Sequence, residues 1–306
     1  MNEKNMSEEL IIELLENIKE TTNNRRGPKG TTTKEKIYSL FIYTYNGNSS
    51  RRTISDLKNA TTRGIIKKTP HYNTLLNHLN NTNHELIKKL ITLTSIPLKN
   101  VETTFSVDSS GFSTSQFNKW RDIRTERGEK RRKWKKCHII IGNTTNIITT
   151  VNITPGERND SPELPPLIKK TAENFRMLEV SADKAYSSRK NHNIINEVGA
   201  TPYIPFKKNA VSNSRGSMIW TKMYNQFLNN NEEFLEHYHQ RSNVETTFSM
   251  IKRKFGNSIR TKKEKSQITE ILMKCLCHNL AVLVTESYEQ GLTINLQDHA
   301  PLMAVA

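Results

Sequence analysis

CHIIIGNTTNIITTVNIT, residues 137–154, decides the fold class. Two apolar, β-branched runs, 137–142 and 146–154, are joined by three polar residues, too few for a helix, so they read as neighbouring antiparallel strands. Working outward, TTFSVD (103–108) precedes them without a helix between and joins the same antiparallel set. MLEVSAD (177–183) and TPYIPF (201–206) follow as two further runs. A helix fits before the fourth run, at Glu163 to Asn174, and another after it, at Arg189 to Val198. Strand, strand, strand, helix, strand, helix, strand, helix is an α/β order with a mixed sheet.

Upstream of a boundary at TSIPLKNV (94–101) the pattern is helical. Residues 1–20 form an amphipathic stretch, followed by a basic linker, TTNNRRGPKGTTT (21–33). RRGPKG within it has the make-up of a minor-groove arm as well as of a plain basic linker. Helical spacing then predicts helices over 33–45, 50–60, 70–80 and 85–93, and Arg51, Arg52, Arg63, Lys67 and Lys68 fall among them. This is the outline of a small all-α, helix-turn-helix-like domain. Residues after Gly291 read as a loose tail.

The chain has 306 residues and a formal charge of +16, which points to a polyanion as partner. No stretch reads as ~18 consecutive apolar residues, and the start lacks the basic-then-apolar order of a secretory signal. Three cysteines, Cys137, Cys275 and Cys277, make no disulfide framework and fit a reducing compartment. Cys275-Leu276-Cys277-His278 lies in an apolar helical run and reads as core thiols rather than a metal site. Much of the positive charge is local. Residues 121–136 carry nine Lys/Arg against three acids, among them Arg131, Arg132 and Lys133, and residues 252–265 carry seven against one. Both segments are candidates for contact with a phosphate backbone.

Two runs end in an aspartate: Asp108 before SSGF and Asp183 before KAYSS. Ligands gather at the carboxyl ends of strands in α/β sheets, although an Asp there also starts turns and caps helices. A third stretch, YHQRSNVETTFSMIKRKFG (238–256), read as one helix, places Tyr238, Arg241, Glu245 and Lys252 within an arc of about 60°. Val244, Phe248, Ile251 and Phe255 form an apolar stripe beside that arc, so the polar groups border the core. An Arg241–Glu245 ion pair alone would not require Tyr238 and Lys252 on the same stripe. Three carboxylates can hold two divalent ions through hard oxygen ligands, while an arginine and a lysine meet phosphate oxygens.

The spacing Tyr238-x2-Arg241-x3-Glu245-x6-Lys252 resembles the Y-R-E-K signature of the insertion-sequence 4/5-like group of DDE transposases. VDSSGF around Asp108 and ADKAYSSR around Asp183 resemble that family's first and second acidic motifs, and the likeness covers roughly residues 100–285. It implies a ribonuclease-H-like core with a mixed five-stranded sheet over 101–290. It also implies Mg2+- or Mn2+-dependent cleavage at transposon ends and transfer of the freed 3′-hydroxyl into target DNA. Asp108, Asp183 and Glu245 carry over as catalytic metal ligands, and Tyr238, Arg241 and Lys252 as DNA-positioning residues. The implied partners are the terminal inverted repeats and target DNA, with a homodimer or larger assembly formed on DNA, no membrane, and a prokaryotic, cytoplasmic, nucleoid-associated setting. Residues 1–100 would then help recognise the element's ends.

Some relatives insert a large β-rich subdomain before the Glu-bearing helix. Here only Lys207 to Asn230 fill that gap, which places the chain with the compact branch. Trp220, in the gap, is either a loop anchor or a platform for an unpaired base. Two alternatives share the motifs: a transposase-derived DNA-binding protein that no longer cuts, and a ribonuclease-H-like nuclease without strand transfer.

Overall fold

Phe105 and Val107 on one strand and Val180 and Ala182 on its neighbour bury their side chains on the same face, with Leu164, Leu167, Ile168 and Ile195 of two helices over them. The alternation leaves Ser106, Asp108, Ser181 and Asp183 on the opposite face. This is a computed structural model, and it describes residues 2–20, 30–114, 134–213, 215–297 and 302–303. The linker at 21–29 and the basic residues Arg131, Arg132 and Lys133 lie outside the described residues. The described residues group into two compact units. One draws on Met1–Thr94, Phe112–Lys133 and Ile251–Ala306, the other on Ser95–Gly111 and Trp134–Met250.

The first unit is helical. Helices Glu3–Glu16, Thr33–Tyr45, Ser50–Thr62, Tyr72–Asn81 and His84–Ser95 run in sequence. The second starts on a capping box in which Thr32 and Glu35 satisfy each other's backbone N–H groups. Helix Glu264–Glu289 packs against the first, second and fourth of these, and Asn279 donates to the Ile91 carbonyl and the Thr94 hydroxyl. Its central run, Ile271 to Leu280, is buried on all sides, Cys275 and Cys277 included, and neither cysteine is in a disulfide. This corrects the reading that no stretch is apolar enough to span a bilayer. By length and composition this helix is apolar enough, and most of it is buried inside the protein. An all-round apolar helix is what a bundle needs at its centre.

Lys274 lies inside this unit, its ammonium 2.9 Å from the Gly256 and Ser258 carbonyls and 3.7 Å from Glu270. The tail is not loose at Leu296. That residue is fully buried, its N–H donates to Glu13, and its carbonyl accepts from Asn17. Further on, Leu302–Met303 pair in parallel with β1 (Ile18–Lys19).

The second unit holds the α/β core. Its sheet contains β2 (Thr104–Ser113), β3 (Trp134–Gly142), β4 (Ile148–Pro155), β5 (Glu179–Ala182) and β6 (Thr201–Tyr203), in the order β4-β3-β2-β5-β6. β3 and β4 are antiparallel, and β5 is parallel to both β2 and β6, so the sheet is mixed and five-stranded, consistent with a ribonuclease-H-like fold. Helices Leu164–Ala172 and Arg189–Glu197 are the expected crossovers. The short segment before the Glu-bearing helix is also helical, over Met218–Asn229.

The β3–β4 turn is held from beneath by Glu102, which is wholly buried. Its carboxylate accepts from the Thr144 N–H, the Thr145 N–H and the Thr145 hydroxyl at 3.1, 2.7 and 2.7 Å. A Cβ on Gly142 would stand 2.1 Å from the Glu102 Cδ, so only glycine fits there. Gly142→Ala is therefore expected to cost roughly 2–4 kcal/mol, because Glu102 must leave its donors. Urea unfolding checks this, and a change below about 0.5 kcal/mol would show that position 142 tolerates a Cβ.

His192 is buried beside Phe206 and Trp220, with ring centroids 5.3 and 5.0 Å away, and burial holds it down to about 4. The unfolded chain, with a value near 6.5, then binds the proton more readily than the folded one. The stability contributed by neutral His192 is complete above about pH 6.5 and declines toward pH 4, by about 3 kcal/mol at the limit. The urea midpoint followed by tryptophan emission should fall across that window, and fall less in His192→Phe. Identical profiles would exonerate His192.

Candidate active site

The register of β2 on β5 builds the site. Ser106 pairs with Ser181 and Val107 with Ala182, so the next residues, Asp108 and Asp183, stand beside each other on one face. Asp108 does not end its strand, as the sequence pattern implied. β2 continues to Ser113, with Phe112 fully buried, and only its pairing with β5 stops at Val107. Asp183 does end β5, and its carboxylate accepts from the Lys184 N–H at 2.7 Å to start a short 3-10 turn, Lys184–Tyr186. Asp108 likewise spends one oxygen on the Ser109 N–H at 2.7 Å.

The two serines ahead of the aspartates have a separate task. Ser181 donates to the His237 carbonyl at 3.0 Å and Ser106 to the Gln240 carbonyl at 3.2 Å. These carbonyls lie at the C-terminal end of helix Asn231–His239, where backbone acceptors lack intrahelical partners. The single helix expected over 238–256 is therefore two: Asn231–His239 ends, and Ser242–Phe255 begins. Between them Arg241 N–H reaches the Tyr238 carbonyl at 3.0 Å and Val244 N–H the Arg241 carbonyl at 3.1 Å, tight three-residue steps that overturn the continuous 100° wheel. The β3–β4 turn fixes this break from the other side, because Asn143 donates to Gln240 at 2.9 Å and accepts from Asn243 at 3.1 Å.

Arg241 emerges from the break onto the carboxylates. One nitrogen is 2.5 Å from Asp108 Oδ2 and another 2.5 Å from Glu245 Oε1. The arginine side chain is 18% exposed and that of Glu245 60%, so the pair expected from their spacing is anchored at its inner end by Asp108. Burial raises Asp108 above the usual carboxylate value; the Ser109 N–H and Arg241 pull it back, and the charges of Asp183 and Glu245 raise it again. Asp108, Asp183, Arg241 and Glu245 thus share one electrostatic neighbourhood. Tyr238, on the preceding helix, supports the charge of Arg241.

The remaining expected site residues are placed differently. Lys252 is on the same helix as Glu245 but groups with the helical unit, its ammonium 5.4 Å from the centre of the Phe112 ring. In the basic segment 252–265, Lys254 pairs with Glu3, and Arg260 donates to the Gly47 and Asn48 carbonyls at 2.8 and 2.6 Å. Those two cations bind their own unit together rather than standing open to a phosphate backbone. Trp220 is 5% exposed and donates to the Val211 carbonyl at 2.9 Å, which makes it the loop anchor.

Asp160 escaped the sequence reading. It accepts from the Ser109 hydroxyl at 3.0 Å and from Lys136 at 2.9 Å, and with Asp108 it raises buried Tyr186 above the ordinary phenol value, after burial itself. Its only sequence signal was a place ahead of Ser161-Pro162 at a helix start.

Among the described residues, no group of three or more His, Cys, Asp or Glu side chains is arranged to hold a metal ion as it stands. Arg241 instead bridges Asp108 and Glu245. The donor set itself fits a hard divalent cation: carboxylate oxygens, those of Asp108 half-buried and pressed by two like charges. A family model described as the transposase DDE domain matches residues 99–280, more than half of the chain, with Asp108, Asp183 and Glu245 inside the match. With its mixed five-stranded sheet and aspartates on neighbouring strands, the protein belongs to the family of DDE transposases, and its function is tied to DNA transposition.

Proposed function

We propose that this protein is an insertion-sequence 4/5-like transposase that cleaves DNA at transposon ends and joins the freed 3′-hydroxyl to target DNA. The observation that carries this reading is the Asp108–Asp183 adjacency set by β-strand register, with Glu245 tied to it through Arg241. Asp108, Asp183 and Glu245 would hold Mg2+ or Mn2+. When bound, two such ions activate the attacking oxygen and stabilise the leaving one in phosphoryl transfer. Arg241 neutralises the acids in their absence, and its fork suits two oxygens of a phosphate as well as it suits two carboxylates. Tyr238 and Lys252 position DNA, residues 1–100 recognise the ends, Arg131, Arg132 and Lys133 contact the backbone, and a dimer or larger complex assembles on DNA.

Asp183→Asn is expected to slow metal-dependent nicking of an end-containing duplex at least a hundredfold, a barrier increase of about 3 kcal/mol. Binding of the same duplex in chelator should stay near wild type. Nicking at the wild-type rate would show that the assigned acids are wrong. Joining of a pre-cleaved end to a plasmid separates a transposase from a plain nuclease.

One observation favours the binding-only reading: Arg241 already satisfies two of the three acids. Arg241→Ala tests it directly. Without the guanidinium the acids repel one another, so the variant should melt below wild type in chelator and regain more stability than wild type when Mg2+ is added. No Mg2+ response in either protein would favour a non-cutting DNA binder.

A further inference from the structure

A second cluster of polar groups lies four residues beyond Asp183, at the start of helix Arg189–Glu197. A cleft of about 390 Å3 opens there, and its lining includes Ser187, Ser188, Arg189, Lys207, Arg215 and Trp220. Three cations and no carboxylate line it. The Ser187 hydroxyl is the telling group. The residue is only 7% exposed, yet its oxygen has no hydrogen-bond partner within the protein. Buried hydroxyls are normally satisfied, so an unpaired one on the wall of a cationic cleft is a donor still able to meet an anionic oxygen.

The cations are arranged, not scattered. Arg189 donates from Nε and Nη2 to the Asn213 carbonyl at 3.2 and 2.7 Å and lies 4.8 Å over the Trp220 ring. Asn213 also accepts from the Arg215 N–H at 3.1 Å, while Arg215 adopts a left-handed φ of 42°, so the loop folds back toward the cleft. Ser188 caps the helix through the Asn191 N–H, and the positive end of the helix dipole faces the same opening. The Trp220 face is covered by Arg189, and its ring packs against Phe206 and His192. Trp220 is 5% exposed, so little of its ring is open to stack on a base.

We propose that this cleft is a phosphate-binding subsite that takes a backbone phosphodiester of DNA. The DNA part of the proposal rests on the transposase reading above. Ser187 is within about 14 Å of Asp183 even if the chain between them were fully extended, so a phosphate held here belongs to the strand leading to or from the acids.

The test uses the full chain with chelator present, so that cutting plays no part, and a labelled duplex of arbitrary sequence. Lys207→Ala/Arg215→Ala is expected to weaken binding about tenfold near physiological salt and to reduce the slope of log affinity against log salt by up to about 2. Ser187→Ala should fold normally, since it removes an unpaired hydroxyl, and weaken binding a few-fold. Lys169→Ala/Lys170→Ala, on another helix, should match wild type. Wild-type affinity and slope in the cleft variant, or an equal loss in the Lys169/Lys170 control, overturns the subsite. If wild type binds no duplex, the transposase reading fails, and inorganic phosphate decides the cleft separately. A rise in melting temperature for wild type but not for Lys207→Ala/Arg215→Ala supports an anion site, and no rise in either overturns it.

Discussion

Two carboxylates on adjacent parallel strands repel each other, and the pairing of Val107 with Ala182 gives Asp108 and Asp183 no freedom to separate. At a strand spacing near 5 Å and an effective dielectric of about 20, that repulsion is on the order of 3 kcal/mol. Burial of Asp108 adds to it. A positive charge delivered to this face offsets that repulsion, and the local structure is organised around the delivery. Ser106 and Ser181 terminate one helix, the Gly142–Asn143 turn fixes the break, and Arg241 emerges from it at the carboxylates. A structural requirement and a chemical opportunity therefore coincide. Whatever replaces Arg241 must itself be cationic.

The pattern of serine and aspartate two residues apart, SVD at 106–108 and SAD at 181–183, shows why part of this was legible and part was not. The strands were readable because apolar, β-branched residues fall in short runs, and the aspartates because they follow such runs. The break at Gln240 was not readable, since its cause is two hydroxyls from strands more than fifty residues away. Periodicity within YHQRSNVETTFSMIKRKFG has no access to a long-range hydrogen bond, so it extends the helix through the break. Asp160 was hidden for a related reason: its importance depends on Ser109 and Lys136, which share no motif with it.

The charge of +16 also separates into different kinds of cation. Arg260 and Lys254 hold the helical unit together, Lys274 is sealed inside it, and Arg241 serves the acids. Arg189 is held by the Asn213 carbonyl, while Lys207 and Arg215 line the same cleft, which has no carboxylate in its lining. Counting charge along a sequence finds density, whereas the distinction between a structural and an available cation appears only when acceptors are assigned.

Helix Glu264–Glu289 has a consequence for how the chain comes into being. It fills the centre of the unit made by the first ninety residues, yet it is synthesised about 170 residues after them. At ordinary rates of translation the early helices wait on the order of ten seconds or more with their apolar faces uncovered. The sheet unit, whose strands all lie between those helices and the last one, can close first. A chain released before this helix is made would therefore carry a bundle without its centre.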